Sequence, residues 1–381
     1  MKELTYSNLK QLKPNSYILI DTRDSGSILY GMIPGAIHIA EEELYANLVR
    51  YAKEFDPQKD VILYCQRGVR SINLAEAFEE QGRECCSLSG GYLAYLRDTV
   101  SSDKQSSEIQ PKAENSIRRK YHKQLFTPFA KACKQYQLIR EGDHIAVCIS
   151  GGKDSMLMAK LFQEIRTHRQ VNFDSTFLVM DPGYNADNRS LIEHNARSLG
   201  IPITIFESSI FDAVDTVEKN PCYLCARMRR GYLYSKAKEL GCNKIALGHH
   251  YDDVIETILM GMLHGGQVQT MMPKLHSTNF EGMELIRPMY LIREADICKW
   301  RDYNELHFLQ CACHFTETCT TCHEDGTTSS KRLETKKLIA ELKKTNPQVE
   351  ANIFNSVSNV NLSTVIAYKE DGVKHHFLDS Y

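Results

Sequence analysis

Two loops carry the residues best suited to chemistry. One is Cys65-Gln66-Arg67-Gly68-Val69-Arg70-Ser71, which follows the apolar run Val61-Ile62-Leu63-Tyr64 and leads into a helical pattern. A cysteine between a strand's carboxyl end and a helix N-terminus faces unpaired backbone N–H groups. Those groups and the helix dipole stabilise a thiolate or a bound anion. Arg67 and Arg70 add positive charge, so the spacing predicts a nucleophilic thiol at Cys65, and Gly68 lets the loop turn tightly. The other loop is Ser150-Gly151-Gly152-Lys153-Asp154-Ser155, after the strand-like His144–Ile149. Adjacent glycines let backbone N–H groups close on an anion at the start of the next helix. Lys153 offers a point charge for phosphate oxygens, Ser150 and Ser155 offer hydroxyl donors, and Asp154 offers a carboxylate for magnesium. The spacing is not that of the Walker A loop, G-x-x-x-x-G-K-[ST], which disfavours a P-loop hydrolase.

The chain has 13 cysteines. Cys222 and Cys225 form a C-x-x-C beside Arg227, Arg229 and Arg230, a spacing that either chelates one metal or works as a redox pair. Cys311, Cys313, Cys319 and Cys322 lie together with His314 and His323. Cys313-His314 with Cys319-x-x-Cys322-His323 suits a zinc knuckle or, equally, a loop of unligated thiols. Cys85, Cys86, Cys133, Cys148, Cys242 and Cys298 fall on apolar stretches or turns and read as packing residues.

The elements that must position these groups alternate. Tyr17–Ile20, Val61–Tyr64, His144–Ile149, Thr176–Met180, Ile203–Phe206 and Lys244–Leu247 are short apolar runs suited to buried parallel strands. Helical periods follow over Ser71–Gln81 and Ser155–Ile165. The pattern predicts an α/β protein with doubly wound parallel sheets in both halves. The Ser-rich stretch from Ser101 to Pro111 reads as a linker. The expected division is a first domain over 1–100, a linker over 101–114, a second domain over 115–365 and a C-terminal tail over 366–381.

Bulk properties set limits. Apolar residues make up 42% and charged residues 25%, as in an ordinary soluble domain. No run of eighteen apolar residues suggests a membrane span, and Met1–Tyr6 is too polar for a secretion signal, so a cytoplasmic location with reduced thiols is expected. The net charge of −2 hides a gradient. Residues 1–100 carry 11 basic and 14 acidic side chains, whereas 112–140 carry Lys112, Arg118, Arg119, Lys120, Lys123, Lys131, Lys134 and Arg140 against Glu114 alone. That cluster suits a phosphate backbone or, equally, a solvated helix face.

Residues 1–98 resemble a single-domain rhodanese, on the Cys65 loop together with Asp21-Thr22-Arg23 and Gly31-Met32-Ile33-Pro34-Gly35-Ala36-Ile37-His38. The resemblance implies that Cys65 carries a persulfide, with Arg70 beside it; the six-residue loop suits sulfur, where phosphatase relatives have a longer one. The second half resembles the PP-loop (adenine nucleotide alpha hydrolase-like) ATP pyrophosphatases on Ser150–Ser155. Over about residues 115–362 it is similar to the tRNA 2-thiocytidine synthetase (TtcA) family, on Pro221–Gly231, Gly248-His249-His250-Tyr251-Asp252-Asp253, His264-Gly265-Gly266, Met272–Leu275, Ile286–Met289 and Arg293–Ile297.

That likeness implies ATP and Mg2+ held by Ser150, Gly151, Gly152, Lys153, Asp154, Ser155, Met180, Gly248, His250 and Asp253. It further implies a [4Fe-4S] cluster on Cys222, Cys225 and Cys311, with Cys313 the rival third ligand, and catalytic use of Cys222 and Cys225. The implied reaction adenylates a base carbonyl, cytidine 32 by analogy, and replaces its oxygen with sulfur relayed from Cys65. Expected partners are tRNA and a cysteine desulfurase or other persulfide donor, with no membrane and a homodimer left open. Two departures stand out: Glu256 occupies a position where many members carry Gln, and the Cys313–His323 insertion is often missing from the family. Thiolation of another base or of a small molecule, a lysidine-synthetase-type ligase and a zinc-stabilised sulfur carrier remain alternatives.

Overall fold

The computed structural model describes residues 2–101, 106–208, 210, 221–309 and 331–381. It has two compact units, Met1–His250 with Pro273–Thr327, and Tyr251–Met272 with Thr328–Tyr381.

The first unit contains two sheets. One holds β1 (Lys2–Leu4), β2 (Tyr17–Asp21), β3 (Ile37–His38), β4 (Asp60–Tyr64) and β5 (Cys85–Leu88), in the order β1-β5-β4-β2-β3 with every pair parallel. A parallel strand covered on both faces needs a continuous apolar run, and Val61, Ile62, Leu63 and Tyr64 are accordingly buried. The helix Arg70–Glu80 lays Leu74, Ala75 and Phe78 into a core with Ile20, Leu44, Val61 and Leu63. Asp21 pairs in register with Tyr64, so β2 and β4 end level and Asp21-Thr22-Arg23 emerges beside Cys65.

The other sheet holds β6 (His144–Ile149), β7 (Asp174–Asp181), β8 (Ile203–Glu207), β9 (Lys244–Ala246), β10 (Lys274–His276) and β11 (Glu284–Ile286). Its order is β10-β11-β9-β6-β7-β8, antiparallel only at the β10–β11 edge. The chain leaves β6 for β7 on one side and later fills the other side with β9. The carboxyl end of β6 is therefore the topological switch point, where sheets of this kind open a ligand crevice. The helix Lys153–Thr167 starts there and buries Met156 through Phe162 without a break, as a helix covered on all sides must. Cys85, Cys133, Cys148 and Cys242 are buried, and burial pushes the thiols of Cys85 and Cys148 up to about 12, which makes them inert packing groups as expected.

The second unit contains the helices Tyr251–Gly265, Lys331–Thr345 and Val349–Ser356 and a hairpin of β12 (Ala367–Glu370) and β13 (Val373–His376). Tyr251 stacks on Phe354 at 4.4 Å between ring centroids, and Lys343 pairs with Glu350 at 2.7 Å. Residues 367–376 are thus ordered secondary structure, where a tail was expected. A second difference concerns the linker: Ser106–Arg118 is a helix with Pro111 inside it. Burial of Ala113, Ser116 and Ile117 against the rest of the unit overrides the local preference of proline. No helix of the described residues is long and apolar enough to cross a membrane.

Candidate active site

Each sheet presents one reactive loop at the carboxyl end of a central strand. In the first, Cys65 follows β4 and is buried, with 6% of its surface exposed. The Gly68 N–H donates to Cys65 Sγ at 3.2 Å and Ser71 Oγ donates at 3.5 Å, while Ser87 Oγ lies 2.9 Å from Ser71 Oγ. The Gly68 donor is a backbone N–H facing the sulfur, and the Ser71 hydroxyl is a donor that the sequence reading did not single out. The turn requires φ of +87° at Gly68 and +56° at Gly91, where the two loop segments cross in close contact. Arg70 begins the following helix and pairs with Glu41 at 3.5 Å; Arg67 is exposed.

The Asp21-Thr22-Arg23 motif is a buried brace rather than a set of free groups. Arg23 pairs with Asp21 at 2.6 Å, donates to the Gly31 carbonyl at 2.7 Å and lies 3.8 Å over the Tyr92 ring. Tyr64 Oη donates to the same Asp21 carboxylate at 2.7 Å, and burial together with that carboxylate raises the Tyr64 pKa far above its ordinary value.

In the second sheet Ser150–Ser155 bridges β6 and its helix at the switch point. The Ser150 N–H donates to Ser155 Oγ at 3.1 Å, and Ser155 Oγ donates to the Gly152 carbonyl at 3.0 Å. Gly152 is the N-cap of the helix and contributes no side-chain cap, which leaves the helix N-terminus facing the crevice. Lys153 is 1% exposed and its ammonium lies 3.2 Å from Asp154 and 3.1 Å from Glu294. Gly248 closes the other wall: a Cβ there would sit 3.2 Å from the Ser155 nitrogen. Met180 ends buried on β7, and His250 Nε2 lies 3.9 Å from Asp154 Oδ1. Asp154 Oδ1 is buried without a hydrogen-bond partner. A carboxylate oxygen so placed fits Mg2+, which uses one or two carboxylates and completes its shell with water and nucleotide phosphates.

The structure therefore brings Ser150–Ser155, Met180, Gly248 and His250 together. Asp253 lies in the second unit on the helix Tyr251–Gly265, where it pairs with Arg332 at 2.9 Å. Glu256, the departure from the family pattern, is buried with Arg332 3.5 Å away, a cationic partner that suits the acid over the amide. Glu294 pairs with Lys153 at 3.1 Å, a role that no local sequence signal announces. Cys222 and Cys225 stand one turn apart on the helix Pro221–Glu239, while their side chains, and Cys311, Cys313, Cys319 and Cys322 entirely, lie outside the described residues. Among the described residues no group of three or more His, Cys, Asp or Glu is placed to hold a metal. In the basic cluster, Lys112 pairs with Glu305, Arg118 with Glu164, and Lys120 lies 3.8 Å over Tyr303, which leaves Arg119, Lys123, Lys131, Lys134 and Arg140 as its exposed cations without such a contact described.

Comparison with known proteins agrees with both loops. A PP-loop domain model matches residues 118–313 and a rhodanese-like domain model matches residues 5–98. The chain is 32% identical over 242 residues to the tRNA-cytidine(32) 2-sulfurtransferase of Geobacter sulfurreducens, spanning 63% of this chain and 90% of that protein. It is 34% identical over 256 residues to the tRNA-cytidine(32) 2-sulfurtransferase of Coxiella burnetii, spanning 66% and 95%. The solved structure of the U34-tRNA thiolase NcsA from Methanococcus maripaludis with its [4Fe-4S] cluster covers 62% of this chain and 79% of its own, at 22% identity and a TM-score of 0.47, a likeness too slight to carry its cluster over. With a PP-loop match across more than half its length and relatives spanned almost end to end, the chain belongs to the tRNA-cytidine(32) 2-sulfurtransferase family of PP-loop proteins and is an ATP-dependent sulfurtransferase with a rhodanese-like domain ahead of its PP-loop domain.

Proposed function

We propose that this chain thiolates a tRNA base, cytidine 32 to 2-thiocytidine, with sulfur drawn from a persulfide on its own Cys65. The observation that carries the reading is the pairing, in one compact unit, of a thiol ringed by donors and an anion-receptive loop with a buried lysine at a sheet switch point. A cysteine desulfurase or other sulfane donor loads Cys65, and Gly68 N–H and Ser71 Oγ stabilise the sulfur. ATP lies across Ser150–Ser155, with Lys153 and the open helix N-terminus on its phosphates and Asp154 oriented toward Mg2+. The base carbonyl oxygen attacks the α-phosphorus and pyrophosphate leaves. The outer sulfur of the Cys65 persulfide passes to the Cys222/Cys225 end of the helix Pro221–Glu239, leaving the Cys65 thiolate. An external thiol reductant supplies the two electrons that bring the sulfur to the sulfide level, and it displaces AMP from the activated carbon. Cys222, Cys225 and Cys311 would hold a [4Fe-4S] cluster, which would supply an iron able to bind sulfide. Arg119, Lys123, Lys131, Lys134 and Arg140 are proposed to meet tRNA phosphates. Holding donor and acceptor on one chain gives the sulfur an effective concentration of about millimolar.

Nucleoside mass spectrometry of tRNA from a deletion strain tests the assignment: 2-thiocytidine disappears and returns with the intact gene. Unchanged 2-thiocytidine refutes the base, and pyrophosphate release that is independent of tRNA refutes the reaction. Turnover that survives Cys222→Ser favours a lysidine-type ligase instead.

A further inference from the structure

Among the described residues a short strap reaches from the rhodanese-like half to the nucleotide loop. Residues 306–309 run between them, with Leu306, Phe308 and Leu309 buried. On one side the His307 ring fills a socket built by the rhodanese half. Tyr95 Oη lies 2.6 Å from His307 Nε2, the two rings meet edge to face at 5.0 Å, and a Cβ at Gly31 would sit 2.9 Å from His307 Nδ1. The socket is tied to the sulfur loop: the Tyr92 N–H donates to the Cys65 carbonyl at 3.0 Å, and Arg23 holds both the Gly31 carbonyl and the Tyr92 ring. On the other side Asn195 Nδ2 donates to the His307 carbonyl at 2.8 Å. Leu309 lies beside the glycine pair together with Ile192: Ile192 Cγ1 is 2.6 Å and Leu309 Cδ1 3.3 Å from where a Gly151 Cβ would be, and the Leu309 carbonyl oxygen is 3.7 Å from the equivalent point on Gly152. A cleft of about 210 Å³ lies beside Leu309, lined by Leu93, Leu96, Leu191 and the paired Arg97 and Asp187.

We infer that His307 is a positioning residue through which the rhodanese-like half, gripping it with Tyr95, holds Leu309 against Gly151 and Gly152 and so sets the affinity of the loop for ATP. The inference rests on the nucleotide reading of Ser150–Ser155. Reciprocity of coupling then makes the state of the nucleotide loop felt at the socket beside Cys65.

The test is calorimetric titration of ATP, with Mg2+, into the full chain and its variants. His307→Ala weakens binding about five- to tenfold, the loss of roughly one buried hydrogen bond and its packing. Tyr95→Phe weakens it about threefold by the same reasoning, and the double variant binds no worse than His307→Ala, since both remove one contact. His307→Gln, which keeps a polar atom near the Nε2 position, recovers at least half of the loss, whereas a purely structural role moves the melting temperature alone. His307→Ala affinity within twofold of the parent, or additive losses in the double variant, overturns the inference while the nucleotide reading stands. A parent chain that binds no ATP overturns both.

Discussion

Gly91→Ala should silence the sulfur loop. A methyl group at position 91 would sit 2.3 Å from the Cys65 carbonyl oxygen and 2.6 Å from the Gly68 nitrogen, on a backbone with φ of +56°. The Cys65 carbonyl must retreat by about 0.7 Å to reach even the 3.0 Å that real Cβ atoms rarely breach. That movement breaks the Tyr92 N–H bond to Cys65 and strains the Leu93 N–H bond to Gln66, at 3.0 and 3.2 Å. Two weakened hydrogen bonds and one left-handed alanine together cost about 3 kcal/mol. Displacing the thiol from its Gly68 and Ser71 donors by most of an ångström lowers transfer about 100-fold. The assay is sulfur transfer from thiosulfate to cyanide by the full chain, with ATP affinity measured in parallel. Gly82→Ala is the control: φ is +79°, nothing lies within 4 Å of the new methyl, and only the conformational cost of about 1 kcal/mol applies. If Gly91→Ala transfers sulfur within a factor of a few of Gly82→Ala, the steric reasoning is refuted.

Further outcomes follow from the nucleotide loop and the strap. Lys153→Met leaves the Asp154 and Glu294 carboxylates facing each other in a buried site, so stability falls by about 3 kcal/mol and ATP binding is lost; adding Glu294→Gln restores much of the melting temperature and none of the binding. Asp154→Asn narrows the difference between ATP affinities measured with and without Mg2+, which titration with and without a chelator reads directly. Burial, reinforced by Arg301, holds the His307 pKa down at about 4. The unfolded chain takes up that proton near pH 6.5 and the folded chain refuses it, so this stabilising contribution is present above about pH 6.5 and is lost as pH falls toward 4. In urea unfolding at pH 7 and pH 4.5 the parent therefore loses about 2 kcal/mol more than His307→Gln.

The strands and both reactive loops were legible because their signals are local. A run such as Val61–Tyr64 needs only its own residues to declare a doubly covered strand, and the groups that follow it emerge at the sheet edge by necessity. The helix Ser106–Arg118 is hidden in the sequence because serines and Pro111 argue for a turn, while the packing of Ala113 and Ile117 that decides the matter comes from distant residues. The hairpin Ala367–His376 pairs strands of four residues with polar side chains, too short for alternation to register. The contacts that tune the sites lay beyond local reading altogether: Lys153 meets Glu294 across 141 positions and Tyr95 meets His307 across 212.

The neighbourhood of Lys153 has a consequence for selectivity. One ammonium shares its buried site with two carboxylates, so the Lys153 charge is already balanced before a phosphate arrives. A triphosphate that brings a divalent counter-charge of its own should therefore bind there more tightly than the same nucleotide stripped of its metal.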